Sequence, residues 1–219
     1  LDGRTRATTL YLPDPALTHA SNEGDALEAQ PVDVVARLTG VEAVARPDAL
    51  AAHLGKVRTV YTPFSPAEGR TGARYEGLRA NRCVAADPWD GAPSREGRFL
   101  DLIRARTLGA QVRDLSPILD DLRLLKSERE LTLLRRAARL SGLALLEGIR
   151  STRPGVMEYQ LGALASYLFL VNGARGDGYR PIIAGGPNIW FGHYFRNDCP
   201  LRDGDLVLMD FAPDVGYYT

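Results

Sequence analysis

Lysine is almost missing from this chain: Lys56 and Lys126 are the only two among 27 basic residues, which leaves 25 arginines. Because 27 acidic residues bring the net charge to zero, the one-signed surface of a nucleic-acid binder is absent. The arginine bias is therefore read as genome composition rather than as a binding face. Cysteine is equally scarce. Cys83 and Cys199 stand far apart and in no metal-ligand spacing, which argues against a disulfide framework or a zinc knuckle and leaves two free thiols. No apolar run approaches the roughly 18 residues of a membrane-spanning helix, so no membrane partner is expected. What is present, 45% hydrophobic and 25% charged residues in a chain of 219, suits an ordinary globular protein of one large or two small domains. Peptide or small-molecule chemistry and a cytoplasmic location are the expectations. The chain opens on Leu1, and an Asp2-Gly3 turn leads straight into a strand, so it reads as entered partway and is silent about any targeting segment.

The first half alternates strands and helices, a rhythm that predicts an α/β domain. Residues 8–12 and 57–61 read as strands and residues 32–38 and 49–54 as helices, with a polar loop through Ser21-Asn22-Glu23-Gly24. Residues 70–98, rich in Gly, Arg, Asp and Pro and weakly periodic, read as loop. Residues 99–107 then predict a helix, 111–115 a short strand and 116–125 another helix.

The clearest local signal follows. Ser127 and Glu130 have the spacing of a reciprocal capping box, in which each side chain accepts from the other residue's backbone N–H. Apolar positions at Leu131, Leu134, Ala138, Ala144 and Leu145 carry that helix to Arg150, before Pro154-Gly155. Residues 156–171 form a second helix, apolar nearly all round and so expected to be buried, antiparallel to the first. Strands are expected at 179–184 and 205–211, with a strand or irregular edge at 190–194 and turns at Gly185–Asn188 and Asp203-Gly204. Helices covering one face of an antiparallel meander make an α+β domain. The division predicts domains 1–124 and 125–219.

Two residues in this second half could carry chemistry. Asp210 ends the apolar run Leu206-Val207-Leu208-Met209, and with both faces apolar its carboxylate is expected to leave water. Such a carboxylate costs several kcal/mol, roughly, unless a metal ion, an arginine or a ring of donors meets it. The plainer alternative is a strand-end residue accepting turn amides. His193 lies among Trp190, Phe191 and Tyr194 after a glycine, either as a satisfied core histidine or as a group that donates or accepts a proton near neutral pH. Asp214, in a Pro-Asp-x-Gly turn, reads as structural.

Taken in order, Leu125-Lys126-Ser127-Glu128 with Arg135-Arg136-Ala137-Ala138, Arg153-Pro154-Gly155-Val156-Met157-Glu158, Gly192-His193-Tyr194 with Asn197, and Asp203-Gly204-Asp205 through Asp210 resemble the M24 metallopeptidases. This is the aminopeptidase P, prolidase and creatinase group with the pita-bread fold. The resemblance runs from about residue 124 to 219; the earlier part resembles a portion of the smaller amino-terminal α/β domain of the same proteins. It implies an incomplete pita-bread catalytic domain. It also implies that Asp210 is the first of five ligands to two divalent metal ions, manganese foremost among manganese, cobalt, zinc and iron. His193 then contacts substrate near the scissile bond and stabilises the tetrahedral intermediate.

Two such ions activate a bridging water and polarise the carbonyl. The family's other ligands are expected after Thr219, so this chain is expected to lack most of the metal centre and to be inactive alone. The implied reaction of the intact protein is hydrolysis of the bond between an amino-terminal residue and proline. Its implied partners are a peptide with proline in second position and a second copy in a homodimer. Creatinase-like amidinohydrolysis without metal is an alternative that the aspartate at 210 disfavours. A non-catalytic pita-bread binding module is another.

Overall fold

A computed structural model of the chain describes residues 1–17, 26–67, 73–107 and 109–219. The loop expected at residues 21–24 lies outside these described residues. The chain divides into two compact units: Leu1–Phe64 with Arg95–Leu115, and Ser65–Ser94 with Ser116–Thr219.

The first unit is α/β with parallel strand pairs. Strand β1 (Thr9–Tyr11) pairs in parallel with β2 (Ala43–Ala45), and helix α1 (Val32–Thr39) lies between them in sequence. A parallel pair needs such a crossover because the chain must return to the starting end of the sheet. Helix α1 stops at Gly40, whose φ of +73° is left-handed backbone that glycine adopts without a Cβ clash. Helix α2 (Ala49–Leu54) spans the predicted residues, and β3 (Thr59–Thr62) pairs in parallel with β4 (Gln111–Asp114). Val35 of α1 is buried, as are Leu100 and Ile103 of α4 (Arg95–Arg106). The three-residue β2, made of Ala-Val-Ala, has too little β-branched content to stand out by propensity.

The loop expected over residues 70–98 is a correction. Arg74–Ala86 is helix α3 in the second unit, and α4 begins at Arg95. No residue of α3 is fully buried, which is why no apolar stripe marks it in the sequence. What fixes it is polar, one contact local and one distant. Glu76 accepts from the N–H of Ala73 at 2.9 Å, and both terminal nitrogens of Arg74 reach the carboxylate of Asp120 at 2.7 and 2.6 Å. Asp120 belongs to helix α5 (Ser116–Leu124).

The second unit holds the larger core. Helix α6 (Glu128–Ser151) starts at the predicted capping box: Ser127 N donates to Glu130 Oε2 at 2.6 Å, while Glu130 N donates to Ser127 Oγ at 3.4 Å. Helix α7 (Glu158–Val171) runs back along it, and Arg136 donates to the carbonyl of Asn172 at 3.0 Å to tie the start of one helix to the end of the other. Ala137 and Ala144 of α6 meet Leu161, Ala165 and Phe169 of α7, all buried, together with Ile183, Leu201, Phe211 and Val215. Burying one such large side chain contributes about 1.5–3 kcal/mol.

The expectation that α7 is buried all round is corrected: Tyr159, Tyr167, Leu170 and Val171 are exposed. Apolar partners lie along its Leu161–Ala165–Phe169 face, so only that stripe is covered. These helices face an antiparallel pair, β5 (Ile182–Gly185) and β6 (Val207–Asp210), in the register Ile182 to Asp210 and Gly185 to Val207. Residues 190–194 form no strand. A 3-10 turn spans Gly186–Trp190, and an irregular path leads from it to the Gly204 turn, where φ is +79°.

Candidate functional site

The β5–β6 pair is covered unequally, and this places Asp210. Strand β5 is buried at every position, whereas β6 alternates: Val207 and Met209 pack against the helical core, while Leu206, Leu208 and Asp210 are exposed. The expectation that Asp210 leaves water is therefore wrong. Period-two alternation sends it to the uncovered face, where Leu206 is 74% and Leu208 42% exposed. One protein group meets it: the Tyr179 hydroxyl donates to Asp210 Oδ1 at 2.6 Å. Burial and this bond to a carboxylate both push the Tyr179 hydroxyl pKa up, so it keeps its proton and acts as a donor. Among the described residues no group donates to Oδ2.

His193 is exposed as well, which removes the core-histidine reading. Its ring stacks on Phe195 with centroids 5.6 Å apart and 29° between planes. Arg180 lies over the Phe195 ring at 5.0 Å and donates to the Phe195 carbonyl at 2.9 Å. Next along, Asn197 ties the segment to the edge of β5: its Oδ1 accepts from Ile183 N and its Nδ2 donates to the Pro181 carbonyl, both at 2.9 Å. The left-handed φ of Asn197, +49°, is one that asparagine tolerates better than most residues. His193 and Asp210 thus both attach to residues 179–183: His193 through Phe195 and Arg180, Asp210 through Tyr179 and its pairing with Ile182.

A second carboxylate in this unit is the opposite of Asp210. Glu158, in the first turn of α7, is fully buried and accepts four hydrogen bonds. Oε1 receives Gly185 N at 2.8 Å and Asn188 Nδ2 at 2.9 Å; Oε2 receives the Tyr194 hydroxyl at 2.9 Å and Cys199 N at 3.0 Å. Burial pushes the Glu158 pKa up, but the donors from Asn188, Gly185, Cys199 and Tyr194 outweigh it and hold the carboxyl below its ordinary value. Burial, Cys199 and Glu158 together push the Tyr194 hydroxyl up. Glu158, Asp198 and Cys199 are the one group of three possible metal ligands among the described residues. With all four donors directed at it, the Glu158 carboxylate is already satisfied and is a poor cation site.

Asp214 is structural, as its turn suggested: it is buried, and its Oδ1 accepts from Tyr217 N at 2.7 Å. Sequence reasoning gave no role to Tyr179, Arg180 or Phe195, and quoted Glu158 only within a motif. A buried glutamate two residues after a helix-starting glycine-valine turn leaves no local sign of partners 27 to 41 residues away.

Residues 132–219 match the model of metallopeptidase family M24. Over this segment, which is less than half of the chain, the sequence is similar to that family. A 113-residue stretch, 52% of this chain, is 38% identical to the Xaa-Pro aminopeptidase of Escherichia coli and covers 26% of that protein. The chain thus spans about a quarter of the length of the curated relatives it matches. Among solved structures, proline aminopeptidase P II from Yersinia pestis superposes with a TM-score of 0.64 at 28% identity, covering 94% of this chain and 43% of that one. A zinc-substituted E. coli aminopeptidase P in complex with product gives 0.65 at 28% identity, covering 94% and 42%. The fold is that of the pita-bread proteins, represented by an incomplete domain.

A metallopeptidase family implies a divalent metal ion. Asp210 fits such an ion as one hard oxygen ligand, exposed and with Oδ2 uncommitted, while Tyr179 fixes its other oxygen. One carboxylate supplies a fraction of the four to six donors that such an ion takes, roughly. Asp210 is not part of any group of three candidate ligands among the described residues.

Proposed function

We propose that the intact protein is a metal-dependent peptidase that cleaves the bond between an amino-terminal residue and a following proline. Asp210 is one metal ligand and His193 the group that contacts substrate. The observation that carries this reading is the placement of an exposed histidine and an exposed, singly bonded carboxylate on the same short run of β5-edge residues. The names of the relatives, Xaa-Pro aminopeptidases and dipeptidases, supply the substrate class.

Each side chain's part follows from its chemistry. A bound divalent cation supplies a polarising charge and an acidified water. Asp210 would hold that cation, while the Tyr179 hydroxyl keeps the carboxylate from rotating. His193, exposed and braced on Phe195, offers a ring N–H to a carbonyl oxygen that gains negative charge in the transition state. The Trp190 and Phe191 side chains, 86% and 64% exposed, give an apolar surface beside it. Manganese is the first metal to test, and the acting species is proposed to be a homodimer.

The test is metal analysis of the intact protein coupled to cleavage of Xaa-Pro dipeptides and Xaa-Pro-Xaa tripeptides, with and without added manganese, cobalt or zinc. Metal-dependent release of the first residue is expected, lost on Asp210→Asn and reduced about 100-fold on His193→Ala, the size of a lost oxyanion donor. No bound metal and no cleavage under any of these conditions sinks the proposal.

A further inference from the structure

The segment between β5 and β6 carries His193 without any strand of its own, so something other than a backbone ladder must hold the histidine in place. Beside the ties that Asn197 and Arg180 make to β5, much of that task falls on one further side chain. All four donors to the Glu158 carboxylate come from this segment or its edges: Gly185 where it leaves β5, Asn188 in the 3-10 turn, Tyr194 immediately after His193, and Cys199 before it returns. The Glu158 backbone adds to the grip, since its N–H donates to the Cys199 carbonyl at 3.0 Å and that of Tyr159 to the Asn197 carbonyl at 2.9 Å.

We propose that Glu158 is the positioning residue for His193, acting through the Tyr194 hydroxyl. The Tyr194 ring is 7% exposed, packed with Ile182 and Ala184 on the face of β5 opposite the helices, so its hydroxyl is the buried end of a lever whose backbone carries His193 one residue earlier. Asn188 Nδ2 donates to that hydroxyl at 3.0 Å, and the hydroxyl proton faces Glu158 Oε2 at 2.9 Å, nearer than Asp198 Oδ1 at 3.2 Å. A buried carboxylate can be compensated within its own helix or by solvent. This one is compensated by the near end, the middle and the far end of the loop that presents the histidine.

Close packing allows little slack. A Cβ added at Gly185 would lie 2.6 Å from Leu201 Cδ2 and 3.6 Å from Glu158 Oε1, so the strand end must approach the carboxylate as bare backbone.

The inference rests on the reading that His193 contacts substrate, and its test has a readout independent of catalysis. The chain contains three histidines, His19, His53 and His193, so the His193 ring resonances can be assigned in the full chain with a His193→Gln variant. Tyr194→Phe removes the hydroxyl alone; Glu158→Gln keeps the shape and one acceptor oxygen. In Tyr194→Phe the His193 ring signals are expected to shift and broaden while the methyl signals of Leu161 and Ile183 stay in place. In the peptidase assay, kcat is expected to fall about tenfold or more with KM changed less than about twofold, the mark of a misplaced group rather than a lost binding contact. Glu158→Gln should move the same ring signals further in the same direction.

Unchanged His193 signals in Tyr194→Phe overturn the proposal. So does a Glu158→Gln protein in which the Leu161 and Ile183 signals move along with those of His193, or the unfolding of both variants, since each assigns Glu158 a merely structural part. If the parent protein cleaves no Xaa-Pro peptide, the peptidase reading fails, and the ring signals still decide whether Glu158 positions His193.

Discussion

Glu158 and Asp210 are two carboxylates of one small α+β unit with opposite surroundings. Glu158 is fully buried and receives four donors; Asp210 is exposed and receives one, the Tyr179 hydroxyl. The contrast separates two ways in which a carboxylate is used. Burial with a full set of donors stabilises the ionised form and ties distant segments together, but leaves no lone pair for a ligand. Exposure with a single anchoring bond contributes little to folding and keeps an oxygen in reserve for a cation. On the proposed reading, unused acceptor capacity rather than burial marks the acid that would hold a metal.

The comparison can be broken hardest at Glu158. Glu158→Ala leaves the N–H groups of Gly185 and Cys199 without acceptors in a buried site, and is expected to lower stability by at least about 3 kcal/mol, read from the denaturant midpoint. A loss under about 1 kcal/mol would show that water or Asp198 takes over those donors. The acid side of the stability profile provides the next test. The Glu158 carboxyl sits below its ordinary value of 4.5, so the stability it contributes is present above that value and is lost as pH falls through the lower folded-state value. Glu158→Gln, with nothing to protonate, should therefore show a flatter decline than the parent as pH falls below 4.5. Glu130 behaves in the same sense: Ser127 N first, then the Tyr218 hydroxyl, hold it at about 2, so its share is lost as pH falls from 4.5 through about 2.

Smaller effects are expected around Asp210. Tyr179→Phe removes its one hydrogen bond and should cost about 1 kcal/mol, with weaker metal binding by calorimetry because the carboxylate is no longer held. A tighter metal affinity would mean that the tyrosine competes with the cation instead of orienting its ligand. Asp210→Asn keeps an acceptor for Tyr179 and should change stability by less than about 0.5 kcal/mol while abolishing metal uptake. A large drop in melting temperature with metal binding intact would reverse the roles assigned to the two acids.

What could be read from the sequence follows how far apart the interacting residues are. Helix α6 was visible because Ser127 and Glu130 are three residues apart and cap one another; the Gly204 turn and the Asp214–Tyr217 turn are just as local. Helix α3 was missed because an ion pair from Arg74 to Asp120, 46 residues away, fixes it where an apolar stripe would have announced it. Asp210 and His193 stood out by residue type and motif order, but both were expected in more apolar surroundings than they have. Strand alternation showed that Leu206, Leu208 and Asp210 share a face; whether anything covers that face depends on the helices, which pack on the other side.

The sequence by itself determined the helices with local caps, the turns that demand glycine or aspartate, and the order of motifs that marks residues 132–219 as an M24 segment. Only the tertiary structure decided which carboxylate is closed and which is open. Each depends on partners brought from far along the chain, 27 to 41 residues for Glu158 and 31 for Asp210, and on which face of β6 the helices leave uncovered. A one-dimensional pattern fixes the direction of a side chain, but its environment is set by whatever folds back against it.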